Sequence, residues 1–432
     1  MYYLLFVGII LSILWLIFAS FNKFSVLLSA PVAVVVVVLF SGVGLTESLF
    51  DNAGSYVYYL ADFVKDFIFI FILGSIMAKY LQLSGGIQTI SSAAVKIIDV
   101  KNPMHGMITV FLITSILTYG GVSLFVVMFA AVPLARSLFS KMNIPWKLAP
   151  LPIILGLGTF TAGTIPGSPS VINVIPTKTL GTNLMAAPFM GLAATTVMIV
   201  VSVAYMHYVV KSEMKNGNEL ITEELEQDQP DHRPGIFLSL LPIFMLILII
   251  ILGSSFNVDN ILIIALTAVI IVESFVYNKY IISHVHVVNA GTSDALIPLL
   301  STASTIAYGS FIAANSIVSD FTRQFIDRFS NKLLTGSIVT VVFSIITASA
   351  SGAIGIIMAT QGTYFIDLGL NADTVHRVLS TASTLAPNMP HSGVVIALLT
   401  LSNLSHKEAF KHLLIAPFLV GAAGLLVSLL LA

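Results

Sequence analysis

Two short stretches of this chain combine residue types that can hold an anion without a fixed positive charge. The first is Ala162-Gly163-Thr164-Ile165-Pro166-Gly167-Ser168-Pro169, with Thr159 and Thr161 just before it; the second is Ala386-Pro387-Asn388-Met389-Pro390-His391-Ser392-Gly393, preceded by Thr381, Ser383 and Thr384. Proline removes a backbone donor and clashes with the preceding turn, so a helix cannot run straight through either stretch. The half-helices on each side expose unpaired N–H groups at one end and free carbonyls at the other; the first suit an anion and the second a cation. Thr161, Thr164 and Ser168 add hydroxyls to the first stretch, and Gly163 and Gly167 allow close backbone approach. Asn388, His391, Ser392 and Gly393 do the same in the second. Neither stretch contains Arg or Lys. Helix ends and hydroxyls are therefore expected to carry the binding, which selects an anion of low charge.

His391 breaks the match, standing where the first stretch has Gly167. As a neutral imidazole it can hydrogen-bond a hydroxy-acid, and protonated it can carry a coupling proton; a plain hydrogen bond to backbone is the structural alternative. Each Ser or Thr reads equally well as a helix-to-helix hydrogen bond when taken singly. Glu273 and Asp294 read as interfacial, and Asp62, Lys65 and Asp66 as a paired cluster one helical turn apart.

Other chemistries are poorly served. With no cysteine in the chain, thiolate metal sites and cysteine nucleophiles are excluded. The nine His form no HExxH pattern, so no metal site is expected. Walker and GxGxxG loops are absent, which argues against primary pumping, and no resident cofactor is expected. Ser351 with His391 gives a hydrolase dyad on paper, but a matched repeat explains Ser351 without catalysis; the chain does not read as an enzyme.

The elements that must position these stretches are membrane helices. Among 432 residues 57% are apolar and 9% charged, with a net charge of -1, where soluble chains carry about 25% charged residues. A net charge so close to zero offers no field for nucleic acid. Apolar runs of membrane-crossing length fall at 2–20, 24–40, 56–79, 185–210, 236–253, 259–277, 293–313 and 412–431. The first lacks a positive flank and a small-residue cleavage site, so it reads as a span, not a signal peptide. The runs 104–132 and 333–360 are broken in the middle by Thr118-Tyr119-Gly120-Gly121 and by Thr347-Ala348-Ser349-Ala350-Ser351-Gly352, and are expected to be re-entrant hairpins. The segments 148–180 and 376–403 are expected to be broken helices.

The two halves align. Ser115-Ile116-Leu117-Thr118 matches Ser344-Ile345-Ile346-Thr347, and Pro166 and Ser168 match Pro390 and Ser392, at separations from the Thr of 48 and 43 residues to each Pro. This predicts a first repeat over 1–210, a cytoplasmic acidic linker over 211–235 and a second repeat over 236–432. With the hairpins returning to their own side, 13 of the 19 Lys and Arg share one face, which should be cytoplasmic. The opposite face receives Lys178, Arg323, Arg328, Lys332 and Arg377. Both chain ends then lie outside, and the second repeat is inverted relative to the first. The expected fold is an all-α integral membrane, inverted-repeat transporter with about ten transmembrane helices. Gln82 to Val100 and Asp320 to Lys332 are expected to form short interfacial helices.

At these same residues the sequence resembles the gluconate permease family of the ion-transporter superfamily. The resemblance rests on Tyr119-Gly120-Gly121-Val122-Ser123-Leu124-Phe125-Val126-Val127, on Pro166-Gly167-Ser168-Pro169-Ser170-Val171-Ile172-Asn173 through Lys178, and on Met389-Pro390-His391-Ser392-Gly393-Val394-Val395-Ile396 through Glu408. It runs from near residue 1 to the C-terminus. It departs at Ser392, where related chains often carry Asn, and at Ser168-Pro169-Ser170, where Thr-Pro-Gln is common. The resemblance implies import of a small organic anion such as gluconate, a related sugar acid or 3-hydroxybutyrate, usually with protons, by a homodimer with an elevator-like motion. The expected place of action is a bacterial inner membrane. The carboxylate is expected among Gly120, Gly121, Thr161, Gly163, Thr164, Gly167 and Ser168 from one repeat and Ser349, Ser351, Gly352, Asn388, His391, Ser392 and Gly393 from the other, with spans 1, 2, 6 and 7 as a static scaffold. Sodium coupling is the close alternative, since carbonyls and hydroxyls are good Na⁺ ligands; an anion channel is a further one.

Overall fold

The computed structural model describes residues 2–22, 24–42, 44–51, 53–87, 89–90, 93, 102–119, 124–168, 170–215, 233–255 and 260–432. The expected linker therefore lies largely outside the described residues, as do Gly120, Gly121 and most of the expected interfacial stretch Gln82 to Val100. Every regular element among the described residues is helical. Among the described residues four helices are long and apolar enough to cross a membrane, at Leu4–Phe21, Pro188–Glu213, His284–Ile312 and His406–Leu430. Val26–Ser41, Ile236–Leu246 and Ile261–Val276 are apolar but shorter.

The expected break points are visible in the backbone. Pro150–Gly158 is followed by a single turn, Phe160–Gly163, and helix resumes only at Val171–Leu180. In the second half Ala372–Ser383 stops, and Gly393–Ser402 begins after an irregular run through Pro387 and Pro390. Gly167 lies at φ +80°, a conformation only glycine adopts without strain. Pro103–Tyr119 and Leu124–Lys141 pack on one another, as do Lys332–Thr347 and Ala350–Asp367. The second pair turns at Ala348, which takes the left-handed conformation at φ +47°, and Ser349 restarts the helix by accepting a hydrogen bond from Gly352 N–H.

The chain forms two compact units, each drawn from both halves of the sequence. The first comprises Met1–Asp66, Gly158–Ser202 and Pro298–Ala432. Here Tyr2–Phe21 packs along Val26–Ser41 through Leu5, Leu16, Ala30 and Ala33, and Trp15 Nε1 donates to Ser29 O at 3.0 Å. Val171–Leu180 and Lys332–Thr347 pack on both Ala350–Asp367 and Ala372–Ser383, burying Phe365, Val378 and Leu379. Asn331 and Asn371 cap their helices, and Ser405 with Glu408 forms a capping box at the start of His406–Leu430. The amphipathic helix Ser316–Asp327 falls on the second stretch expected at an interface.

The second unit comprises Phe67–Leu157 and Val203–Ile297. Phe71 stacks on Phe125 at 4.4 Å between ring centroids. Gly156 lets Pro150–Gly158 pass so close to Pro103–Tyr119 that a Cβ would fall 1.9 Å from Thr114 Oγ1. Lys79 pairs with Asp294 at 2.8 Å and Lys147 with Glu213 at 2.7 Å. Glu273, which the sequence suggested lies near the membrane interface, is enclosed by protein near the end of its helix. It is 0% exposed in Ile261–Val276, and neither carboxylate oxygen has a hydrogen-bond partner.

Candidate functional site

The expected site residues that are described fall into three groups, all in the first unit. The first break is held by its own short-range bonds. Ser168 Oγ donates to Thr161 O at 2.8 Å, and Gly167 N–H donates to Leu184 O at 2.9 Å. Thr161, Gly163, Thr164 and Ser168 are all buried. Gly163 brings this break against the helix Ala372–Ser383, since a Cβ there would stand 2.9 Å from Ser380 O. Backbone meets backbone at that crossing because neither strand of the contact carries a bulky side chain.

The second break meets the tip of the second helix pair. Ser392 Oγ donates to Ala348 O at 3.0 Å, and His391 Nε2 donates to Ile346 O at 3.3 Å. A carbonyl can only accept, so Nε2 carries the proton and Nδ1 is left without a partner, buried in a residue that is 0% exposed. The Tyr308 ring stands edge-on to the imidazole at 6.2 Å. Gly393 passes so close to Thr302 that a Cβ would lie 3.0 Å from its Cα, and Thr302 Oγ1 donates to Gly393 O at 3.2 Å.

Ser349, Ser351 and Gly352 form the third group. With Tyr59, Ser310 and Thr347 they line an open cavity of about 440 Å³. Ser351 Oγ sits 3.1 Å from Ser349 Oγ, and His391 bonds Ile346 instead, so the paper dyad of Ser351 and His391 is not assembled. Residues of the two breaks do not line this cavity; they are packed behind it or elsewhere in the unit.

Among the described residues, four buried polar atoms without partners lie at or just before the two breaks, besides others at Ser48, Thr195 and Glu273. Thr164 Oγ1 belongs to the first, and Thr381 Oγ1, Asn388 Nδ2 and His391 Nδ1 to the second. Buried polar groups are nearly always satisfied, and leaving one unmade costs about 1–3 kcal/mol. Four such atoms from two interrupted helices are what a polar ligand or water would complete.

One residue overturns an expectation. The breaks were expected to work without a cation nearby, and Arg377, counted only as one of the outer-face charges, was expected to stay clear of them. Arg377 is instead 0% exposed. Its guanidinium reaches the first break, where Nη1 donates to Gly163 O at 3.1 Å, Thr164 O at 3.2 Å and Asn173 Oδ1 at 3.1 Å. Nε and Nη2 donate to Ala186 O at 3.0 and 2.7 Å, and Nη2 also to Leu184 O at 3.2 Å. Beside it His376 Nε2 donates to Asn173 Oδ1 at 2.9 Å, while Thr182 Oγ1 donates to His376 Nδ1 at 2.7 Å. Asn173, His376 and Arg377 were not singled out from the sequence. A basic residue at the start of a span that continues through Val378 to Thr384 without another charge was the available signal. No group of His, Cys, Asp and Glu fit to hold a metal ion occurs among the described residues.

Comparison with known proteins adds one relative of full length. No protein-family model matches the chain. The chain is similar to a Bacillus subtilis (strain 168) protein named uncharacterized transporter YxjC, at 26% identity over 448 residues that span 94% of each chain.

Proposed function

We propose that this chain is a secondary active transporter that imports a small organic monocarboxylate, such as gluconate, a related sugar acid or 3-hydroxybutyrate, by proton symport. The reading is carried by two interrupted helices in contact at Gly163 and Ser380, with unpaired buried polar atoms on both sides and a cationic guanidinium beside the first. A helix interrupted at membrane depth is tolerated where it is buried in protein or lines a wet cavity, the usual setting of a carrier site. The relative's name supports a transporter role, and the gluconate permease resemblance supports the substrate class. His391, with one ring nitrogen unpaired, is the proton carrier in this reading, or the donor to a substrate hydroxyl. Carbonyls at the first break that a sodium ion would use are engaged by Arg377, which favours the proton over sodium. A homodimer in a bacterial plasma membrane, with elevator-like motion, belongs to the same proposal.

Counterflow of a labelled hydroxy-acid in proteoliposomes tests it. Uphill uptake is expected under an inward proton gradient and not under a sodium gradient at equal pH. Uptake indifferent to pH overturns proton symport, and current without accumulation makes the protein a channel.

A further inference from the structure

The guanidinium of Arg377 is enclosed by oxygen atoms of neutral groups. Its acceptors are the carbonyls of Gly163, Thr164, Leu184 and Ala186 and the amide oxygen of Asn173. No carboxylate forms an ion pair with it among the described residues. Asp373, one turn earlier on the same helix, is exposed. His376 and Thr182, the neighbouring polar groups, are spent on Asn173 and on each other. Buried cations ordinarily carry a counter-charge. This one has a full set of hydrogen bonds and no ion pair, and the one carboxylate acting on it is that of exposed Asp373, at longer range.

Several carbonyl oxygens converging at the end of a short broken helix are what a small monovalent cation takes as ligands. Gly163 O and Thr164 O close the turn Phe160–Gly163, and Leu184 and Ala186 come from the loop that follows Val171–Leu180. We propose that this oxygen shell is a monovalent-cation site permanently filled by the chain's own guanidinium, whose charge, offset only at a distance by exposed Asp373, is balanced by the anionic substrate when that binds at the adjoining break. The second clause rests on the reading of the chain as an anion carrier; the first does not. Arg377 is in this sense a positioning residue, since it acts through the first break and does not need to touch the substrate.

Two variants of the full-length protein separate shell from charge. Arg377→Ala vacates the shell and leaves its oxygens in place. Millimolar guanidinium chloride is expected to raise the melting temperature of Arg377→Ala and not that of the unsubstituted protein, with choline chloride as the control salt. An equal response of both proteins overturns the filled-site proposal, as does an Arg377→Ala protein as stable as the parent without guanidinium. Asn173→Asp instead sets a carboxylate against the guanidinium while leaving Arg377 in place, so it remains informative if Arg377→Ala fails to fold. Asn173→Asp also gives up the amide's donations to Ser168 O at 2.8 Å and Leu184 O at 3.1 Å, so Asn173→Leu, which loses the same donations without adding charge, is its control, and folded Asn173→Asp is expected to bind carboxylate about tenfold or more weakly than folded Asn173→Leu. Carboxylate affinity in folded Asn173→Asp no weaker than in folded Asn173→Leu overturns the charge role. Should the parent protein bind none of the carboxylates, the transport reading falls, and the guanidinium response still decides whether the shell is a cation site.

Discussion

Glu273 shows what a single buried residue costs. Its carboxylate lies near Tyr80 and Tyr277, with neither oxygen hydrogen-bonded. Replacing such a group by an apolar side chain of similar length removes an unmet polar demand, so Glu273→Met is expected to stabilise the protein by about 1–3 kcal/mol, seen as a higher melting temperature in detergent. A lower melting temperature would mean that the carboxylate is already satisfied. The burial of Glu273 and of Arg377 went unread in the sequence for one physical reason. A charge count assigns depth from distance to the end of an apolar run, whereas burial is decided by what packs there from far along the chain. Arg377 is enclosed by residues about 190 to 214 positions earlier, and no local pattern announces them. His391 was legible because its neighbours Pro390 and Gly393 interrupt the helix and fix its setting from within the motif.

The interruptions themselves were readable at the scale of the element. Pro and Gly forbid or permit specific backbone conformations, and that information is local; hence Pro166 and Pro390 each stand between helices that stop short of them. The turn at Ala348 was readable only as a small-residue run, since nothing in an alanine requires the left-handed conformation it adopts. How tightly the elements cross was not readable at all, because it depends on both partners. Gly163 is the sharpest case, with Ile172 Cγ2 and Ser380 O at 2.7 and 2.9 Å from where a Cβ would stand. One contact is backbone and cannot swing aside, so Gly163→Ala is expected to destabilise by about 1–3 kcal/mol. Gly355→Ala is the matched control, because its Cβ would meet only Ile175 Cδ1 at 3.9 Å and should leave the melting temperature nearly unchanged. Equal melting temperatures for the two variants would show that the helices separate at no cost where Gly163 crosses Ser380.

At the scale of the whole molecule, coupling has to be read from the complete cycle and not from one side chain. Among the described residues, two buried groups can carry a proton without an evident second purpose, His391 in one compact unit and Glu273 in the other. An ionisable residue inside a membrane segment is expensive, and its retention points to a task. Only His391 stands among the unpaired atoms of the two breaks, so a proton carried there meets the substrate site directly. Exchange at equal pH on both sides requires only the substrate site, whereas accumulation against a gradient requires the proton as well. His391→Gln keeps a polar side chain but removes the titrating ring, and is expected to retain labelled counterflow within a few-fold while losing acid-driven accumulation. Glu273→Gln is expected to retain both. Its loss of accumulation with His391→Gln unaffected would transfer the coupling role to Glu273, and loss of accumulation in both variants would make the proton path pass through each of the two units.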